Sequence, residues 1–136
     1  MTDGELAVSL ATAAGRALME LRGAGGLEGK ALGSAGDEAS NRLLVAGLRS
    51  QRPSDAILSE EERDDERRLS ARRVWIIDPL DGTREYGEGR SDFAVHVALS
   101  IDGRAMLGAV ALPGLGLTLA GDALEARKPA QPPPTG

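Results

Sequence analysis

Apolar positions recur along the chain with two different periods, and the change of period outlines the elements. Leu6, Leu10, Ala13, Ala14, Ala17 and Leu21 follow helical spacing, which predicts an amphipathic helix as far as about Arg22. Thr2 with Glu5 three residues later forms a capping box that starts it. Gly23, Gly25, Gly26, Gly29, Gly33 and Gly36 then break the pattern. Neither the P-loop nor the dinucleotide-binding spacing is met, so this stretch reads as a mobile surface loop. Helical spacing returns from Ser34–Asp37 to about Gln51, carried by Leu43, Leu44, Gly47 and Leu48. Asp37 falls in the first turn of that helix, where the helix dipole favours an acid.

Beyond Gln51 a strand period takes over. Ala56–Leu58 reads as a short strand and Val74–Ile77 as a buried one, rich in β-branched and aromatic residues. Phe93, Val95, Val97 and Leu99 alternate with Ala94, His96 and Ala98, a strand with two distinct faces. Asp102-Gly103 predicts a hairpin turn into Ala105–Leu112, and Leu115–Ala120 supplies one more strand. His96 falls on the small-residue face and reads as a packed core histidine rather than a ligand. Residues 60 to 73 mix charges of both signs and read as a solvated loop or short helix. From Gly121 onward the composition is that of a linker. Residues 1–120 are thus expected to form one folded domain, with 121–136 a Pro-rich tail.

Composition narrows the chemistry. The 136 residues suffice for one modest core, and 41% hydrophobic with 27% charged residues describes a globular chain. Trp75, Tyr86 and Phe93 are the only aromatic residues, so the core is built mainly from aliphatic side chains. A net charge of −5 argues against nucleic acid as a partner and suits a bound cation. The absence of cysteine excludes disulfides, thiolate zinc sites and cysteine nucleophiles. The start of the chain is polar, with no long apolar run, so no membrane partner is expected and the cytoplasm is the default location. With a single histidine and no Gly-x-Ser-x-Gly, a serine triad is not available. Hydrolytic chemistry here falls to carboxylates and metal.

The stretch from Val74 to Thr83 concentrates that chemistry. The strand Val74–Ile77 runs into Asp78-Pro79-Leu80-Asp81-Gly82-Thr83. Pro79 is expected to end the strand. Asp78 and Asp81 then face one point, with the Leu80 carbonyl between them as a further oxygen. Close carboxylates share a cation or shift each other's titration, and the usual cation for all-oxygen ligands is Mg²⁺. The amides of Gly82 and Thr83 suit a phosphate, and the Thr83 hydroxyl can orient a water. Glu60 ends the short strand Ala56–Leu58. If that strand lies beside Val74–Ile77, Glu60 joins Asp78 and Asp81 at one sheet edge.

Leu58-Ser59-Glu60-Glu61, Trp75-Ile76-Ile77-Asp78-Pro79-Leu80-Asp81-Gly82-Thr83 and the alternating Phe93–Leu99 strand resemble the inositol-monophosphatase-like metal-dependent phosphatases. Thr83-Arg84-Glu85-Tyr86, with Gly36-Asp37 before the second helix, is closer to the 3'(2'),5'-bisphosphate nucleotidase branch. The resemblance covers about residues 1 to 120. It implies an α+β fold, the N-terminal half of a layered αβαβα sandwich, with helices packed on a mainly antiparallel sheet. It implies Glu60, Asp78, the Leu80 carbonyl and Asp81 as metal ligands, with Glu61 beside them and two or three Mg²⁺ ions per complete site. Asp37 and Thr83 would activate the attacking water, and Glu60 counts with them as a catalytic residue. Asp81, Gly82 and Thr83 would meet the substrate. The implied reaction is lithium-sensitive hydrolysis of a small phosphate ester, with adenosine 3',5'-bisphosphate first, and inositol phosphate or fructose 1,6-bisphosphate behind it. The family's second half, which completes the metal site, has no counterpart in these residues, so that half or a homodimer partner is expected. Haloacid-dehalogenase-like phosphatases carry Asp-x-Asp-Gly-Thr, but Pro79 stands where their nucleophile would be. A folded half that only binds metal or docks on a partner is the non-enzymatic alternative.

Overall fold

The computed structural model describes residues 1–59 and 71–122. These form helices α1 (Asp3–Gly23), α2 (Gly29–Gln51) and α3 (Thr83–Gly87), and strands β1 (Ala56–Leu58), β2 (Arg73–Asp81), β3 (Ala94–Ile101), β4 (Arg104–Leu112) and β5 (Leu117–Asp122). The strands make one sheet in chain order, β1 to β5. β1 runs parallel to β2, and every other neighbouring pair is antiparallel. α1 and α2 lie on one face of that sheet. Among the described residues, no helix is long and apolar enough to cross a membrane.

Local rules account for the element ends. The Thr2 hydroxyl accepts from the Glu5 amide at 3.0 Å, and the Glu5 carboxylate accepts from the Thr2 amide at 2.9 Å. This is the capping box expected from the sequence, and it satisfies two otherwise orphaned donors. Asp102 and Gly103 both take positive φ, 52° and 77°, in the tight turn between β3 and β4. β5 continues through Asp122 because Gly121 and Asp122 pair with Gly108 and Leu107. The linker composition therefore begins inside a strand.

The core lies between the helices and the inward face of the sheet. Leu6, Leu18, Leu44, Leu48, Trp75, Val95, Val97 and Leu99 are all buried there. Burying each such aliphatic side chain contributes about 1.5–3 kcal/mol. The buried stripe of α1 is Leu6, Ala7, Ala11, Ala14, Gly15 and Leu18, rotated from the expected one so that Leu10 and Leu21 flank it. Small residues on that stripe let the helix sit close to the sheet, with Gly15 against Pro113.

Two expectations need correction. α2 begins at Gly29, not near Ser34, so Gly29, Gly33 and Gly36 belong to a helix, not a loop. Asp37 accordingly lies well inside the helix and not in its first turn. β2 is also not buried on both sides, because Ile76 is 43% exposed while Trp75 and Ile77 are buried. The face of the sheet opposite α1 and α2 has no covering layer among the described residues, which is why the four apolar residues split between two environments.

Candidate active site

β2 carries the two acids, and its pairing with β3 decides where they point. From Arg73 to Asp78 the register with β3 is regular, ending in Asp78 opposite His96. Asp81 then pairs with Ala94, so β2 holds one residue more than its partner between these points. In a regular strand, residues three apart face opposite sides of a sheet. The bulge absorbs the odd residue, burying Pro79 and Leu80 while Asp78 and Asp81 both emerge exposed. Pro79 does not end the strand as expected. It occupies the bulge, where a missing N–H breaks no ladder bond.

The loop after the bulge is tightly held. The Thr83 hydroxyl donates to the Leu80 carbonyl at 3.1 Å, and the Leu80 amide donates to Asp78 Oδ1 at 3.3 Å. Gly82 has φ 91°, and a Cβ there would stand 2.8 Å from the Asp92 carbonyl oxygen. Both the backbone conformation and the close approach require glycine. α3 starts at Thr83 and is pinned by Tyr86, whose hydroxyl donates to the Leu18 carbonyl at 2.6 Å. Burial pushes the Tyr86 phenol above its ordinary range, while the charge of Arg22 acts in opposition. Arg22 stacks on the Tyr86 and Phe93 rings at 5.1 and 5.0 Å, and donates to the carbonyls of Tyr86 and Arg90.

α2 closes over this loop from the helical side. A Cβ on Gly33 would lie 2.8 Å from Thr83 Cγ2, and Ser40 donates to the Pro79 carbonyl at 2.7 Å. Asp37 sits one turn after Gly33 and one turn before Ser40 and Asn41, on the same stripe of the helix. That stripe faces the Pro79–Thr83 loop. Asn41 accepts from Ser59 at 3.0 Å, tying the end of β1 to the helix. Parallel pairing places Leu58 opposite Ile76, so β1 and β2 approach one sheet edge together. Glu60 and Glu61 lie outside the described residues.

The structure therefore gathers Asp78, Leu80, Asp81, Gly82 and Thr83 in one bulge and turn, with Asp37 on the helix above. Among the described residues, no three His, Asp or Glu side chains form a group able to hold a metal ion. What is present is two exposed carboxylates and the Leu80 carbonyl, which accepts from the Thr83 hydroxyl, an all-oxygen set that fits a hard cation such as Mg²⁺. Glu85 Oε2 adds a buried oxygen with no hydrogen-bond partner among the described residues, in the wall of a cavity of about 380 Å³ that Asp81 and Gly82 also line. A second cavity, about 460 Å³, opens on the other flank between Thr83, Gly33 and Lys30.

Ser40, Asn41, Ser59 and His96 were not anticipated as part of this region. Ser40 and Asn41 had a legible signal, because they are polar residues on the buried stripe Leu32, Gly36, Leu44 and Leu48. His96 corrects the expectation of a core residue. Its side chain is 41% exposed, and its Nε2 stands 3.2 Å from Asp81 Oδ2.

Comparison with known proteins extends this picture. The model of the inositol monophosphatase family matches residues 4–128. The chain is 54% identical over 127 residues to a 3'-phosphoadenosine 5'-phosphate phosphatase of Mycobacterium leprae, covering 85% of this chain and 47% of that protein. It is 39% identical over 83 residues to the 3'(2'),5'-bisphosphate nucleotidase CysQ of Salmonella typhimurium, covering 60% of this chain and 34% of that protein. The structure of an inositol monophosphatase from Anabaena superposes with a TM-score of 0.71 at 29% identity, over 88% of this chain and 43% of that one. The chain thus spans about half the length, or less, of the relatives it matches. On the family match over residues 4–128, nearly all of its length, this chain belongs to the inositol monophosphatase family.

Proposed function

We propose that the chain forms the metal and phosphate end of a Mg²⁺-dependent phosphomonoesterase, acting in the cytoplasm on the 3'-phosphate of adenosine 3',5'-bisphosphate. The bulge at Pro79 carries the reading, since it is what brings Asp78 and Asp81 to one face beside Thr83. The names of the Mycobacterium leprae and Salmonella relatives support the substrate class. In this proposal Asp78, Asp81, the Leu80 carbonyl and Glu60 hold two or three Mg²⁺ ions, with Glu61 beside them. When bound, Mg²⁺ supplies positive charge that stabilises the attacking and leaving oxygens of an in-line displacement.

The residues divide the remaining work. The Thr83 proton is engaged on the Leu80 carbonyl, so its oxygen is left to accept a hydrogen bond from the attacking water. Asp37, on the facing stripe of α2, takes the proton as the water oxygen bonds to phosphorus and the ester P–O bond breaks. Asp81 and the amides of Gly82 and Thr83 orient the phosphate. Residues 1–122, through the end of β5, act as the folded metal-binding domain, and a second half completes the site.

A second reading rests on the uncovered sheet face. Ile76, Leu117 and Leu119 are 43, 42 and 56% exposed there. In that reading the chain binds metal and docks on a partner, either a second half or a second copy, without turnover by itself.

Titration calorimetry with Mg²⁺ on the native chain and on Asp81→Asn tests the site. The variant is expected to lose at least about 100-fold in affinity, given that even residues behind a ligand are worth 10–100-fold, while its thermal unfolding is unchanged. An unaltered Mg²⁺ affinity would remove Asp81 from the site. Li⁺-sensitive phosphate release from adenosine 3',5'-bisphosphate then separates the two readings.

A further inference from the structure

Asp81 has one charged or hydrogen-bonding side-chain partner among the described residues, and it is His96. The contact, His96 Nε2 to Asp81 Oδ2 at 3.2 Å, joins residues fifteen positions apart. Two features of the fold make it. Antiparallel pairing sets His96 opposite Asp78, and the bulge then returns Asp81 to the same face. One imidazole thus stands beside both acids of the turn. Val95 and Val97, its chain neighbours, are fully buried on the opposite face, so the outward direction of His96 follows from strand alternation.

An ionised carboxylate only accepts hydrogen bonds, so the proton of this contact sits on Nε2 of His96. A carboxylate held by one oxygen has the other directed away from the holder. Ligating carboxylates of metal sites are oriented by such donors, which tune affinity without touching the ion.

We propose that His96 is a positioning residue of this site: its Nε2–H holds Oδ2 of Asp81 and thereby presents Oδ1 to the cation. The inference rests on the proposed role of Asp81 as a metal ligand. It adds a residue that neither the turn motif nor a carboxylate-only view of the site contains.

The test uses the full chain and Mn²⁺ as a paramagnetic substitute for Mg²⁺, with free Mn²⁺ measured by electron paramagnetic resonance. His96→Leu keeps an apolar side chain on a half-exposed strand face but removes the donor. His96→Gln keeps an N–H donor at similar reach. The expected result is about a 10-fold or greater loss of Mn²⁺ affinity in His96→Leu, recovery of most of it in His96→Gln, and thermal unfolding alike in all three proteins. Equal affinity of His96→Leu and the native chain overturns the proposal. Equal loss in both variants also overturns it, because the ring and not the donor would then matter. Asp81→Asn run alongside separates the two levels. If it binds Mn²⁺ like the native chain, or if the native chain binds none, the ligand reading fails and the positioning role with it. If Asp81→Asn alone loses the ion, only the role of His96 is lost.

Discussion

Asp3 sits between two guanidinium groups, accepting from Arg52 and Arg73 at 2.9 Å each. Arg73 also spans both oxygens of Asp55 at 3.0 Å, and Asp55 in turn accepts from the indole of Trp75 at 2.8 Å. This network ties the start of α1 to the beginning of β2, at the end of the strand away from the bulge. Burial acts to raise the Asp3 carboxyl, but the hydrogen bonds and charges of Arg73 and Arg52 outweigh it and hold the group below its ordinary range. A folded-state value below the unfolded one means stability that is present above the ordinary aspartate range, about 3.9, and lost as pH falls through the lower folded value. Asp3→Asn should therefore lower the melting temperature at pH 7, and the gap to the native chain should close by pH 2. Thermal unfolding at both pH values decides it. A gap of the same size at pH 2 would mean that the carboxylate charge is not what stabilises.

Among the elements, the meeting of α2 with α3 controls the geometry of the turn. A Cβ on Gly36 would lie 2.5 Å from Tyr86 Cε2 and 3.1 Å from Leu18 Cδ2. Tyr86 cannot retreat easily, since its hydroxyl is bonded to the Leu18 carbonyl and its ring meets Phe93 edge-on at 5.1 Å. Alanine is a better helix former than glycine by about 1 kcal/mol, whereas overpacking a tight contact costs about 1–3 kcal/mol. Gly36→Ala is expected to destabilise by about 1 kcal/mol net, by that difference. Gly4→Ala, in α1, is the control, because its added carbon meets nothing nearer than 4.0 Å. It should stabilise. Urea denaturation midpoints that move the same way for both variants would show that helix propensity, not the α2–α3 contact, governs Gly36.

At the scale of the molecule, the sheet is two-sided but the helices cover one side. An antiparallel sheet with one solvated face normally carries polar residues there. Beside Asp78, Asp81 and His96 this face also shows the apolar Ile76, Leu117 and Leu119, and β5 stands at an edge of the sheet among the described residues. The outcome expected from this face is association. Sedimentation equilibrium on the chain alone should detect a dimer at concentrations of about 10–100 µM, the weak range expected when only a modest apolar patch is buried. Leu119→Lys should shift it to monomer with no loss of melting temperature. A native chain that stays monomeric throughout would show that the face tolerates water.

The sequence by itself determined what depends on neighbours in the chain. The Thr2–Glu5 box, the alternation of β3, the Asp102-Gly103 turn and the Asp78–Thr83 motif are all written within a few residues, and local rules suffice to read them. Family membership was legible for the same reason. The tertiary structure decided what depends on partners far along the chain. Gly29, Gly33 and Gly36 look like a loop until Thr83 and Tyr86 are packed against two of them, because glycine leaves no hydrophobic pattern to read. Val74–Ile77 looks wholly buried until it is known that one face of the sheet has no layer over it. His96 looks like a core residue until its strand is paired with β2. The spacing of Asp78 and Asp81 is visible in the sequence, but a spacing of three on a strand separates two side chains unless a bulge intervenes. That extra residue exists only in the register between β2 and β3, so the convergence of the two acids is a property of the paired strands.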